Sequence, residues 1–156
     1  MKKIITDLLV LVTIFSFSSC MNRGLEDLPE FSDALISSVS RVEYRYISDE
    51  VSPASGQNIV KFVILNHTAT VNKEDATVNI TAKVPANFPT KEKSKLSNAN
   101  ISVNLNLSTA ARIQPVGNAP VLGIPGDWSK PNKYLVTAAD GNTKKEWTII
   151  VAPINK

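Results

Sequence analysis

A chain of 156 residues with 43% hydrophobic content can bury one substantial core and is too short for two comfortable ones. Its 17 basic and 14 acidic side chains give a formal charge of +3; without the first nineteen residues, which carry Lys2, Lys3 and Asp7, 15 basic and 13 acidic groups remain, far from the dense basic face that nucleic-acid binding needs. One cysteine excludes an internal disulfide, and one histidine with no second cysteine excludes the usual zinc constellations.

Met1-Lys2-Lys3 is a short positive head, and Leu8 to Phe17, LLVLVTIFSF, is an apolar run that ends in SSC. A helix needs ~20 such residues to span a bilayer, so the run reads as the core of a signal peptide. Ser18 and Ser19 directly before Cys20 suit the small-residue site of a lipoprotein signal peptidase, and the segment resembles a bacterial lipoprotein signal. Residues 1–19 are then the leader, Cys20 the lipidated first residue of the mature chain, and residues 20–37 a flexible tether before a domain over 38–156. Thioether lipidation removes an otherwise unpaired thiol, and three acyl chains at ~0.8 kcal/mol per buried CH₂ hold a protein firmly on a membrane. The expected partner is the membrane, and the expected location the outer membrane, on its surface or periplasmic side.

The tether, MNRGLEDLPEFSDALIS, lacks a sustained period and contains Gly24 and Pro29, with room for one helical turn after Ser32 or Asp33. Period two begins in SRVEYRYIS, where Val42, Tyr44 and Tyr46 share one face and Arg41, Glu43 and Arg45 the other. NIVKFVILN is more continuously apolar, as expected of a central strand covered on both sides or of a bend that switches faces. TVNITAKVP turns Val78, Ile80, Ala82 and Val84 inward and stops at Pro85. NFPTKEKSKLSNA reads as a solvated, lysine-rich loop that guards a strand edge. In NISVNLNLS, Ile101, Val103, Leu105 and Leu107 alternate with polar residues, a spacing that no helix keeps on one side.

PNKYLVTAADGNTKKEWTIIVAP reads as two strands around the turn pair Asp140-Gly141. Tyr134, Val136 and Ala138 face Trp147, Ile149 and Val151 across it. About seven strands with no long helix predict an all-β fold, an immunoglobulin-like antiparallel β-sandwich without the Cys-Trp-Cys hallmark of antibody domains.

Val84-Pro85, Asp127-Trp128-Ser129-Lys130-Pro131, Tyr134 to Gly141 and Trp147 to Val151 together resemble an immunoglobulin-like domain family, without established catalytic residues, found in lipoproteins of Bacteroides and its relatives. The resemblance covers roughly residues 38 to 152. It implies a non-catalytic module exposed at the cell envelope, often encoded among proteins that capture or process polysaccharides. Its partners would be a polysaccharide or outer-membrane uptake proteins. The rival reading is a structural or adhesive spacer that contacts another subunit through an open strand edge.

Sugar binding calls for aromatic rings presented as a platform beside amides or carboxylates. Of Tyr44, Tyr46, Trp128, Tyr134 and Trp147, four fall on the inward phase of a strand; Trp128, in a loop beside Gly126 and Asp127, is the candidate ligand contact. His67 has no nucleophile motif beside it, and the pairs Asp49-Glu50 and Glu74-Asp75 lie in turn-like stretches where neighbours seldom converge on one glycosidic bond. No catalytic residue, cofactor or metal site is expected. Asp127, Asp140 and Asn142 are the nearest approach to a calcium set, and turn chemistry is the simpler account of all three.

Overall fold

The computed structural model describes residues 31–156. The leader 1–19, Cys20 and most of the tether therefore lie outside the described residues. Eight strands are found among them: β1 Ile36–Val51, β2 Asn58–Ile64, β3 Asn66–Asn72, β4 Thr77–Lys83, β5 Ile101–Leu107, β6 Arg112–Pro115, β7 Asn132–Thr137 and β8 Lys144–Val151. They form two layers, a three-stranded sheet in the order β2-β1-β5 and a five-stranded sheet in the order β3-β4-β8-β7-β6. The fold is an all-β sandwich, and no described helix is long and apolar enough to cross a membrane.

Period-two patterning places the core. Val42 and Tyr44 of β1 and Ile101 and Val103 of β5 turn inward against Val78, Ile80 and Ala82 of β4, Tyr134 and Val136 of β7, and Trp147, Ile149 and Val151 of β8. Tyr134 stands opposite Trp147 in the β7–β8 ladder, as the alternation around Asp140-Gly141 requires. At that turn Asp140 accepts the backbone N–H groups of Asn142 and Thr143, both at 2.8 Å, and Gly141 takes φ 71°, a left-handed value that costs glycine little.

Four expectations need correction. The tether is shorter than its 20–37 boundary: Ala34 and Ile36 are already buried, and the chain after Ser32 makes no helical turn but enters β1 at Ile36, which pairs with Leu107 at the end of β5. The sheets are not wholly antiparallel, since β4 and β8 run parallel from Thr77/Thr148 to Ile80/Val151. Of the two readings of NIVKFVILN, a covered central strand or a bend, the central strand is not found. The segment is the edge strand β2, and it changes sheets at the buried Leu65, whose N–H still donates to Val42 O at 2.8 Å before β3 begins at Asn66. The lysine-rich loop holds more than charge: Phe88 and Leu96 are buried around a one-turn helix, Thr90–Lys93, and close one end of the sandwich.

Candidate functional site

Trp128, the ring expected to meet a ligand, is fully buried. The loop that carries it is fastened along β5: Gly123 N–H donates to Val103 O and Gly126 N–H to Ile101 O, each at 3.0 Å, and Trp128 N–H donates to Asn98 O at 2.8 Å. These bonds lead the indole into the end of the sandwich, where it stacks on Tyr134 with centroids 5.9 Å apart and planes 13° from parallel. Trp128 is a core plug and offers no sugar platform. Trp147 is also fully buried and donates Nε1–H to Ala34 O at 3.1 Å, while the Tyr134 hydroxyl donates to Pro120 O at 2.6 Å and burial pushes its pKa well up. Tyr44, buried and hydrogen-bonded through its hydroxyl to Glu92 Oε2 at 2.9 Å, is pushed up to about 12, first by burial and then by that carboxylate.

The ionisable candidates are engaged in holding the fold. Asp127 accepts Ser129 N–H and its hydroxyl, which hold its carboxyl below the usual range. Asp140 is lowered in the same way by Thr143. Lys61 pairs with Glu50, Lys91 with Asp49 at 3.2 Å, and Lys95 with Glu92 at 2.8 Å; this last contact leads the depression of the Glu92 pKa. His67 is half-buried, with its ring nitrogens 3.4 Å from Leu65 O and Val39 O. Among the described residues no group of three or more His, Cys, Asp or Glu side chains could hold a metal ion.

The outer face of the small sheet is different. Cross-strand pairing sets Ile64 beside Glu43, Phe62 beside Arg45 and Val60 beside Ile47. Ile47, Val60, Phe62 and Ile64 are each about half exposed or more, at 69, 63, 57 and 48%. Between them Glu43 is only 2% exposed, because Arg41 Nε lies 3.0 Å from one carboxylate oxygen and Arg45 Nη2 2.6 Å from the other. Arg41 also reaches over the Phe62 ring at 5.8 Å, and the same Arg45 Nη2 donates to Gly123 O at 2.8 Å. Two guanidinium groups share one carboxylate here, so the face carries a net positive charge beside an apolar stripe. The signal was present in the sequence: Arg41, Glu43 and Arg45 at spacing two must share a face. The exposure of β2 was not, since a run of alternating and consecutive apolar residues reads the same in a covered strand and in a bare edge.

The four sheet edges are treated unequally. The β5 edge is covered by the Gly123 and Gly126 bonds. At its own edge β6 has four residues and ends in Pro115, while β3 presents Asn66, Thr68, Thr70 and Asn72. Among the described residues, edge strand β2 has no cover and no proline; its one charge, Lys61, is paired with Glu50, and its outward residues Val60, Phe62 and Ile64 are apolar, as in edges that are ready templates for pairing. A second, polar feature lies at the end of the sandwich: an open groove of about 410 Å³ lined by Tyr46, Asp49, Glu50, Lys61, Lys91 and Glu92 among others.

The sequence matches the family described as DUF5018-related over residues 36–150. A crystal structure of a protein from Bacteroides fragilis, predicted to be secreted, is 36% identical, covers 82% of this chain and 100% of its own, and superposes with a TM-score of 0.72. A predicted glycoside hydrolase from Bacteroides thetaiotaomicron is 21% identical over 85% of this chain and 28% of its own; its TM-score of 0.41 is too low to carry fold or activity across. None of the curated proteins matches. With the family pattern running through the sandwich from β1 into β8, the chain belongs to the DUF5018-related family.

Proposed function

We propose that this protein is a non-catalytic module of the cell envelope that works by contact with other proteins, as a subunit of an uptake complex or another surface assembly. The observation that carries the reading is the outer face of the β2-β1-β5 sheet, with its exposed Ile47, Val60, Phe62 and Ile64 bordered by a strand edge that no described segment covers. The ion pairs and turn bonds that occupy the carboxylates support a structural rather than catalytic use of those groups. An envelope location is supported by the leader and Cys20 and by the relative predicted to be secreted; lipidation of Cys20 and outer-membrane anchoring are part of the proposal.

A photo-crosslinking amino acid at position 62 of the full chain, expressed in its native envelope, tests this directly. Crosslinks to protein from position 62 and none from position 70 on the polar edge of the other sheet are expected. Equal or no crosslinking from both positions overturns it.

A second reading, polysaccharide binding, is favoured by the groove beside Tyr46, which sets a ring next to Asp49, Glu50 and Glu92. Affinity electrophoresis through polysaccharide gels separates the two readings. Retardation that Tyr46→Ala abolishes and Phe62→Lys does not would assign the ligand to the groove.

A further inference from the structure

We propose that the bare edge of β2 pairs antiparallel with β2 of a second copy of this chain, joining the two small sheets into one of six strands. This rests on reading the outer face as a contact surface, and it names the occupant. The ladder with β1 fixes which backbone groups are available. Leu65 N–H donates to Val42 O, and in an antiparallel pair bonded residues alternate, so the odd-numbered residues of β2 point their N–H and C=O groups at β1. Val60, Phe62 and Ile64 point theirs at the open edge. They are the same three residues whose apolar side chains stand exposed.

Charge excludes one register, and the centre of the exposed run Val60, Phe62 and Ile64 selects another. A two-fold axis at Lys61 would set Lys61 directly against its copy, a like-charge pair that destabilises a ladder. An axis at Phe62 sets Phe62 against Phe62, Val60 against Ile64 and Lys61 against Val63, with outward-pointing backbone groups meeting one another throughout. Each Lys61 keeps its own partner, Glu50. No like charges face one another in this arrangement, and the apolar stripes of the two copies become continuous. Pairing along so short an edge buries little area, so the dimer is weak in dilute solution and forms with rising concentration.

The test uses residues 21–156, which contain the whole described fold and no cysteine. Sedimentation equilibrium from micromolar to millimolar concentration should show monomer converting to dimer. Phe62→Lys, which puts like charges on the axis, should raise the midpoint concentration at least ten-fold, and Val60→Lys should act similarly, each with an unchanged circular dichroism spectrum. Thr70→Lys, on the β3 edge, should leave the midpoint alone. Register is read from Phe62→Cys: bonded antiparallel partners lie about 5.5 Å apart at Cα, inside the disulfide range of about 4.4–6.8 Å. This variant should therefore oxidise to a covalent dimer much faster than Thr70→Cys. A monomer at all concentrations, a dimer indifferent to both β2 lysines, or equal oxidation of the two cysteine variants would overturn the proposal. If position 62 still crosslinks to other proteins in the envelope, self-pairing has failed while the contact surface stands; if position 62 crosslinks to nothing, both have failed.

Discussion

The two tryptophans fill the core with equal burial, but their indole N–H groups fare differently. Trp147 donates to Ala34 O, whereas Nε1 of Trp128 finds no partner among the described residues. A buried hydrogen bond contributes about 1 kcal/mol net, and an unpaired donor costs a similar amount. Replacing either indole by Phe leaves a comparable gap, so the difference between the two variants isolates the N–H. Trp147→Phe is expected to destabilise the fold by about 1–2 kcal/mol more than Trp128→Phe in urea titrations; equal losses would show that Trp147 gains nothing from Ala34. The inward place of Trp147 was legible from strand parity alone. The burial of Trp128 was not, because it depends on bonds from a loop to Ile101, Val103 and Asn98, contacts that leave no local period.

At the level of elements, the loop between β6 and β7 shows how the sandwich closes one of its own edges. Gly126 sits where its missing side chain matters: a Cβ there would lie 2.4 Å from Pro120 Cβ. The neighbouring Pro120 carbonyl receives the Tyr134 hydroxyl, so the proline cannot move aside freely. Gly126→Ala is therefore expected to cost about 1–3 kcal/mol, the range of overpacked sites, and to expose the β5 edge to exchange. Thermal melts of the variant beside Gly141→Ala, which meets open space but a left-handed φ, would separate crowding from backbone strain. The β7–β8 hairpin was readable from Asp140-Gly141 and the flanking alternation. The parallel β4–β8 pair was not, since strand direction across a sandwich is a long-range property that neither period nor turn chemistry encodes.

At the scale of the whole molecule, two buried tyrosines tie strands of different sheets to the connections at one end of the sandwich. Tyr44 reaches from β1 to Glu92 in the short helix, and Tyr134 from β7 to Pro120 in the long loop. Both phenols have pKa values raised by burial, that of Tyr44 to about 12. A raised value in the folded state means that the neutral form is preferred there; stability from these groups is complete below the ordinary value of 10.0 and is lost as pH climbs through the folded value. Urea midpoints should hold steady up to about pH 9–10 and fall towards pH 12, with Tyr44→Phe less sensitive over that interval. An identical decline in the variant would remove Tyr44 from the account.

One flank of the molecule is a single ribbon. Because only Leu65 separates β2 from β3, the outermost strands of both layers are consecutive in the chain, and a one-residue hinge leaves neither free to detach without tugging on the other. Fraying on that side should thus be shared: amides from Asn58 to Asn72 that are protected by β1 and β4 would exchange with solvent at closely similar rates, as one cooperative unit, even though they belong to different sheets. A binding event that clamps the first half of the ribbon would then quieten the second half, carrying news of contact from one layer to the other without any change in shape.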